Sequence, residues 1–332
     1  MRVVVTGGAG YVGSHVCKEL KLQGFEPVSF DNLSTGHREL VRWGPLIVGD
    51  ITDRDSIAAA LHQVRPIAVV HMAASCFVAE SMAFPAKYYR NNVLGSLSLL
   101  EAMVAAGVSR IVFSSSCATY GIPEHTPVAE DAPQRPINTY GRTKLAIEEM
   151  VDAFEVAHGT RGMCLRYFNA CGADPEGETG ELHDPEPHLI PRAILAVLGQ
   201  IHDFAVFGDD YPTPDGTAIR DYVHVTDIAS AHLAALLHLL GDRPPAKLNL
   251  GTGRGYSVRE VIETVGRITR RSLPVTFRAR RAGDPAILVA DCSRARELIG
   301  FEPRFPDLDS MIQTAWNWHA RAAQPVLAHH RL

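Results

Sequence analysis

The chain has 332 residues, of which 21% are charged and 46% hydrophobic, and carries a formal net charge of -5. This is the composition of an ordinary globular protein, long enough for one large or two intimate domains. The negative charge disfavours a nucleic-acid binder that neutralises phosphates, and no run approaches the roughly 18 apolar residues of a membrane span. In chain order, RVVVTG, EPVSF, PLIVGD, IAVVHMAA and RIVFSSS read as buried parallel strands, with RGMCLRYFN as a sixth. Between them, YVGSHVCKELKLQG, RDSIAAALHQV and YRNNVLGSLSLLEAMVAAG carry apolar residues at helical spacing. Strand and helix alternating in this way predict right-handed βαβ units and a doubly wound sheet over residues 1–170. Beyond that, GADPEGETGELHDPEPHLIP and GDDYPTPDGTAIRDY read as long loops, of the kind that are functional or disordered. VTDIASAHLAALLHLL then reads as a helix and AKLNLGTG as a strand. The expectation is a smaller lobe over 171–332, interleaved with the sheet through a return near 222–252. The tail AHHRL reads as frayed.

The opening MRVVVTGGAG leads straight into a strand and a glycine turn, so no secretory leader and a cytoplasmic location are expected. Six cysteines stand at 17, 76, 117, 164, 171 and 292 without a Cys-x-x-Cys pair, so reduced thiols and no metal site are expected.

Gly7, Gly10 and Gly13 lie between the first strand and the first helix, the setting that a dinucleotide-binding turn requires. The first glycine permits the tight turn, the second lets backbone approach a pyrophosphate, and the third lets helix and strand pack closely. Asp31 ends the next strand, where a carboxylate can accept both ribose hydroxyls of an adenosine and repel a 2′-phosphate, which favours NAD over NADP. It reads alternatively as a strand-ending aspartate that caps a turn. Asp50 ends the third strand in VGDITD, where an adenine amino group would lie; taken alone it is equally credible as a helix cap.

INTYGRTKLAIEEM places Tyr140 and Lys144 four apart, on one helix face. An ammonium beside a phenol, with the positive charge of a bound nicotinamide, lowers a tyrosine pKa that is ordinarily about 10. The phenolate could then accept a proton from a sugar hydroxyl. Ser116 closes the fifth strand in VFSSSCATYG and could bond the same oxygen. Without that context, Tyr-x-x-x-Lys is an ordinary solvated helix pair.

The strings VTGGAGYVGSH, DNLSTG, GDI, YYRNNVLGSL, TYGRTK, LRYFNACGA, FGDDYPTPDGTAIRDYVHVTDIA, NLGTGRGYSV and RRAGDPA, taken together, resemble the extended short-chain dehydrogenase/reductase family. Within it the likeness is to the 4-epimerases of UDP-galactose and UDP-glucose, from Met1 to about Met311; DYPTPDGTAIRDYVHV is the most specific string. The resemblance implies a Rossmann domain, an isomerase with tightly bound NAD, and reversible C4 epimerisation through a transient 4-keto sugar. It implies that Tyr140, Lys144 and Ser116 are catalytic. Tyr11 and Val12 would touch the pyrophosphate, and Asp31, Asn32, Leu33, Ser34, Thr35 and Gly36 the adenosine ribose. Asp50 and Ile51 would flank adenine, Met72, Ala73, Ala74 and Asn91 would line the cleft, and Phe168 would lie near the nicotinamide. For the UDP-sugar, the resemblance implies Asn169 and Leu189, an extended edge of Ala205, Val206 and Phe207 near uracil, and Arg220, Arg281 and Asp284 at the UDP group. Guanidinium forks suit a diphosphate independently of any family; Asp284 could instead orient an arginine or accept from the UDP ribose.

Two positions depart from the family. Cys76 stands where many members carry a lysine, removing one cation near the cofactor phosphates. Leu288 stands where some members restricted to unacetylated sugars carry tyrosine, so N-acetylated UDP-hexosamines are expected to fit as well. A 4,6-dehydratase would need a carboxylate after the fifth strand, and SSSCATYG has none. A 4-epimerase of a UDP-pentose or UDP-uronate, and a non-catalytic NAD-sensing protein, stand as alternatives, although such sensors usually lose the Tyr–Lys pair. The resemblance also implies a homodimer, paired through YYRNNVLGSLSLLEAMVAA and TKLAIEEMVDAFEVAH, and a place in galactose metabolism.

Overall fold

A computed structural model describes residues 1–281 and 284–323; the AHHRL tail lies outside the described residues. Strand and helix alternate through the first half: β1 (Arg2–Thr6), α1 (Tyr11–Leu22), β2 (Glu26–Asp31), β3 (Leu46–Val48), α2 (Arg54–Val64), β4 (Ala68–His71), α3 (Val78–Ala83), α4 (Pro85–Tyr88), α5 (Gly95–Ala105), β5 (Arg110–Ser116), α6 (Thr139–His158) and β6 (Arg161–Tyr167). The second half contributes β7 (Asn169–Cys171), α7 (Leu189–Val197), β8 (Ala205–Phe207), β9 (Ile219–His224), α8 (Val225–Leu240), β10 (Ala246–Leu250), β11 (Gly255–Ser257), α9 (Val258–Thr269), β12 (Thr276–Arg278), β13 (Ile287–Leu288), α10 (Ser293–Ile299) and α11 (Leu308–Ala323).

Seven strands form one parallel sheet in the order β10-β6-β5-β4-β1-β2-β3. The fold is α/β and doubly wound. Successive crossovers run outward from β1 in one direction and from β4 in the other, so the order reverses between β1 and β4. A crevice at the carboxyl ends of strands follows from that reversal. Both sheet faces are buried, because β-branched neighbours point alternately to each side. Val3 and Val5 enter one core cluster with α1 and α8, while Val4 enters another with α2, α5 and α6. A third cluster joins α7, α9 and α11. Over it lies a small sheet, β11-β9-β13, with β7 also on β9; β8 and β12 pair separately. The helix α8 and strand β10 return to the large sheet, with β10 beside β6.

Several boundaries differ from the sequence expectation. The third strand ends at Val48, so Asp50 lies in the loop beyond it. The N-cap of α2 is Asp53, which accepts from the amides of Asp55 and Ser56; Asp50 does not cap that helix. The sixth strand breaks at Phe168, and β7 then leaves the large sheet for β9. Tyr89–Leu94, expected as regular helix, is a π-helical segment. The wider turn goes with a side-chain clamp: the Asn92 amide donates to the carbonyl of Ser75 at 3.0 Å and accepts from its amide at 2.8 Å.

One buried ion pair crosses three elements. Arg166 of β6 grips Glu148 of α6 with two bonds, 2.9 Å from Nε to Oε1 and 2.7 Å from Nη2 to Oε2. Ser115 of β5 donates to Glu148 at 2.5 Å, and Arg166 also donates to the Tyr120 hydroxyl at 2.7 Å. Burial pulls the Glu148 carboxyl up, but the Arg166 and Ser115 bonds outweigh it and hold it below the usual carboxylate range. Arg166→Ala should therefore lose about 3–5 kcal/mol by leaving a buried carboxylate unpaired. Urea unfolding measures this; a loss under about 1 kcal/mol would mean that water reaches Glu148.

Candidate active site

The cofactor side begins where β1 turns into α1. Gly7 has φ +72°, and a Cβ there would meet the Ala73 amide nitrogen at 2.7 Å, so only glycine lets the turn lie against the loop after β4. The first intrahelical bond runs from the Ser14 amide to the Gly10 carbonyl at 2.9 Å. The amides of Tyr11, Val12 and Gly13 therefore precede the ladder. The N-cap Gly10 offers no side chain and the first turn holds no acid, which leaves a positive helix end free for an anion. The Tyr11 phenol is committed elsewhere, donating to the Gly172 carbonyl at 2.6 Å.

Asp31 is buried and accepts from the amides of Ala9 at 3.0 Å and Leu33 at 2.8 Å. It thus caps its own turn, the alternative weighed from sequence, and braces the glycine loop as well. Burial raises its pKa against those two bonds. Asp50 is held by Thr52 and Asn32; burial pulls its pKa up, but these hydrogen bonds outweigh it and the net shift is down. An open cleft of about 420 Å³, counting its mouth, is lined by Gly7, Asp31, Asn32, Ser34, Ile51, Ala73, Ala74 and Asn91, all expected from sequence. Phe30, Gly49 and Ser75 line it too and were not expected. Thr35 and Gly36 complete the turn after β2, and Gly36 packs against both the Asp31 carboxylate and Ala9. The Met72 amide donates to the Thr6 carbonyl at 3.0 Å, fixing the opposite wall.

The second constellation lies at the carboxyl end of β5. Asn138 caps α6 by accepting from the Gly141 amide at 2.8 Å. A Cβ on Gly141 would collide with the Ala118 carbonyl, so glycine lets the first turn of α6 press against the segment after Ser116. Tyr140 and Lys144 then sit on one buried face. The Lys144 ammonium donates to the Ser114 carbonyl at 2.6 Å and lies 4.9 Å from the Phe113 ring centre and 5.8 Å from that of Tyr140. Burial lowers the Lys144 pKa to about 8, against upward pulls from Cys76 and Glu148. The Tyr140 phenol is raised well above its ordinary value by burial, with Tyr167 and Cys76 adding to it, while Ser116 draws it down. The sequence expectation joined the ammonium to the charge of a bound nicotinamide; in the chain itself the lysine points at a carbonyl, and desolvation dominates. Ser116 itself accepts from the Ala118 amide at 3.1 Å. Phe168 is buried at the break after β6, where its amide donates to Leu250 at 3.1 Å.

On the lobe side, Asn169 opens β7 and Leu189 opens α7. Ala205, Val206 and Phe207 form β8, extended as expected, in register with Thr276, Phe277 and Arg278. Arg220 donates to Asp284 at 2.8 Å, so the aspartate orients an arginine, one of the two roles left open. The Arg281 guanidinium stacks over the Phe207 ring at 4.1 Å. Leu288 is buried and lies opposite Arg220 in register. Cys76 is a free, exposed thiol. Sequence reasoning missed Asn92, whose signal was only a polar residue inside an apolar helix pattern. It also missed Glu181, His183, Glu186 and His188, whose donor atoms all lie within 4.8 Å of one another. The expectation of no metal rested on cysteine spacing and did not weigh these residues.

The model of the NAD dependent epimerase/dehydratase family matches residues 3–251. The chain is 48% identical over 322 residues to a UDP-glucose 4-epimerase of Rhizobium meliloti (strain 1021), covering 97% of this chain and 98% of that protein. The crystal structure of a UDP-glucose 4-epimerase from Brucella ovis in complex with NAD matches with TM-score 0.93 at 53% identity, over 95% of this chain and 97% of that one. A UDP-Glc/GlcNAc 4-epimerase from Campylobacter jejuni matches with TM-score 0.84 at 38% identity, over 96% and 99%. From the α6 packing, Gly141→Ala should lower the thermal midpoint by several degrees and disturb the Tyr140–Ser116 approach. An unchanged melting curve would show that the segment after Ser116 yields freely.

Proposed function

The chain belongs to the NAD dependent epimerase/dehydratase family, and from that premise we propose that it is an isomerase that interconverts UDP-glucose and UDP-galactose at C4. The observation that carries this reading is the buried Tyr140–Lys144 pair beside Ser116, at the carboxyl end of β5 and beyond the glycine turn.

The residues fit NAD. The uncapped start of α1 suits a pyrophosphate, and the space that a Cβ on Gly7 would fill is kept clear. Asp31 to Gly36 would hold the adenosine ribose, Asp50 and Ile51 would flank adenine, and Met72, Ala73, Ala74 and Asn91 would line the cleft, with Phe168 toward the nicotinamide. When bound, NAD supplies the reversible two-electron oxidation of the sugar C4 alcohol.

The remaining chemistry belongs to the chain. Tyr140 accepts the proton of the 4-hydroxyl and later returns it, and Ser116 bonds the same oxygen. Burial alone opposes the phenolate, so the positive charge needed beside Tyr140 would be supplied by a bound nicotinamide together with Lys144. Lys144, held against the Ser114 carbonyl, keeps its ammonium 5.8 Å from the Tyr140 ring centre. Arg220, oriented by Asp284, and Arg281, stacked on Phe207, would bind the diphosphate and uridine, with Ala205 to Phe207 along uracil and Asn169 and Leu189 at the sugar. Binding through UDP leaves the ketose ring free to turn and be reduced on its other face.

The reading extends to a homodimer, a cytoplasmic location and a place in galactose metabolism. For the dimer, Leu94 at 49%, Val104 at 37% and Val156 at 90% exposure lie along the segments that would pair. Among the described residues no helix is long and apolar enough to cross a membrane. N-acetylated UDP-hexosamines fall within the proposed range, because Leu288 is smaller than the tyrosine of restricted members and sits opposite Arg220.

Tyr140→Phe should lose at least about 100-fold in UDP-galactose turnover; near-normal turnover would refute the assignment. UDP-N-acetylglucosamine should be turned over by the wild-type chain beside UDP-galactose. Brisk turnover of the latter with none of the former would remove the Leu288 argument and leave the epimerase reading standing.

A further inference from the structure

The loop between β7 and α7 gathers two carboxylates and two imidazoles, with His183 edge-on to the Tyr11 ring at 6.5 Å. Glu181 Oε1 lies 2.6 Å from His188 Nδ1 and 3.0 Å from His183 Nδ1. Glu186 faces the same two nitrogens, at 3.1 Å from His188 and 3.6 Å from His183. Both imidazoles therefore turn Nδ1 inward, and both carboxylates turn an oxygen toward the same small volume. Glu181 and Glu186 are buried, at 4% and 7% exposure. We propose that Glu181, His183, Glu186 and His188 form a binding site for one divalent transition cation of the zinc class.

Donor chemistry, spacing and charge agree on this. Two imidazole nitrogens and two carboxylate oxygens form a donor set that zinc accepts at bond lengths of about 2.0–2.2 Å, which puts tetrahedral donors roughly 3.3–3.5 Å apart. The four nitrogen–oxygen separations run from 2.6 to 3.6 Å, and the whole donor set lies within 4.8 Å. Two buried carboxylates side by side repel each other and demand neutralisation. One divalent cation neutralises both with the imidazoles uncharged. The two imidazole rings, 5.3 Å apart, face the same two carboxylates.

The surroundings form an outer shell that fixes the donors. Trp318 Nε1 donates to the Glu181 carbonyl at 2.9 Å, and the His188 amide donates to Glu186 Oε1 at 2.9 Å. The Phe77 ring stands edge-on to His183 at 5.4 Å and to His188 at 6.3 Å, closing one side. A cation here would close the loop on itself and set the start of α7, immediately before Leu189. No step of the epimerisation runs through it.

The test uses the full chain, freed of metal by chelation and titrated with zinc chloride by calorimetry. One equivalent should bind, and the cobalt(II)-loaded chain should show the intense visible bands of tetrahedral coordination. His183→Gln and Glu186→Gln, each checked for native circular dichroism, should weaken zinc binding by at least about 10-fold. Failure of the wild-type chain to bind a stoichiometric equivalent would overturn the site, as would undiminished binding by folded variants. Should the variants not fold, an octahedral cobalt spectrum from the wild-type chain would overturn it equally. None of these readouts depends on epimerase activity.

Discussion

The bidentate pair between Arg166 and Glu148 is the constraint on which the catalytic side of the molecule rests. It ties β6 to α6, takes in Ser115 from β5, and continues through Tyr120 to Asn249 at 2.8 Å on β10. The residue after Ser115 is Ser116, and Glu148 lies one turn of α6 beyond Lys144. A fully satisfied charge pair inside a core gives little net stability, yet breaking it is costly, so it enforces one geometry more than it adds strength. Here that geometry is the approach of α6 to the end of β5.

The same burial that holds the site together sets its electrostatics. Desolvation raises the Tyr140 phenol and lowers Lys144 to about 8, so the protein by itself keeps the proton on the phenol and weakens the ammonium. Under the proposed mechanism, a positive charge entering the cleft would oppose that bias and favour the phenolate. That would link proton removal to cofactor occupancy, through the dielectric of the site more than through any single contact.

Much of this was legible in the sequence where the signal was local. Tyr140 and Lys144 share a face because helical spacing requires it, and Gly7 marked a positive φ because a strand-to-helix turn demands one there. Ser116 could be placed because ligands gather at the carboxyl ends of parallel strands. Long-range pairs were not legible. Glu148 meets Arg166 across two elements, and Arg220 meets Asp284 across 64 positions. The direction of Lys144 toward the Ser114 carbonyl is likewise invisible in the spacing, and with it the dominance of desolvation over charge. The Glu–His loop was local but silent, since polar residues among prolines read as solvated until the fold turns them inward.

By itself the sequence determined the alternation of strand and helix, the glycine turn, the acid that ends β2 and the phenol–ammonium face, because each depends on backbone periodicity or on a few adjacent residues. Only the tertiary structure decided which buried charges neutralise one another, which side of the Tyr140 equilibrium burial favours, and where the carboxylates of the loop before α7 converge. Those outcomes depend on distance and dielectric, and both are set by how remote segments pack.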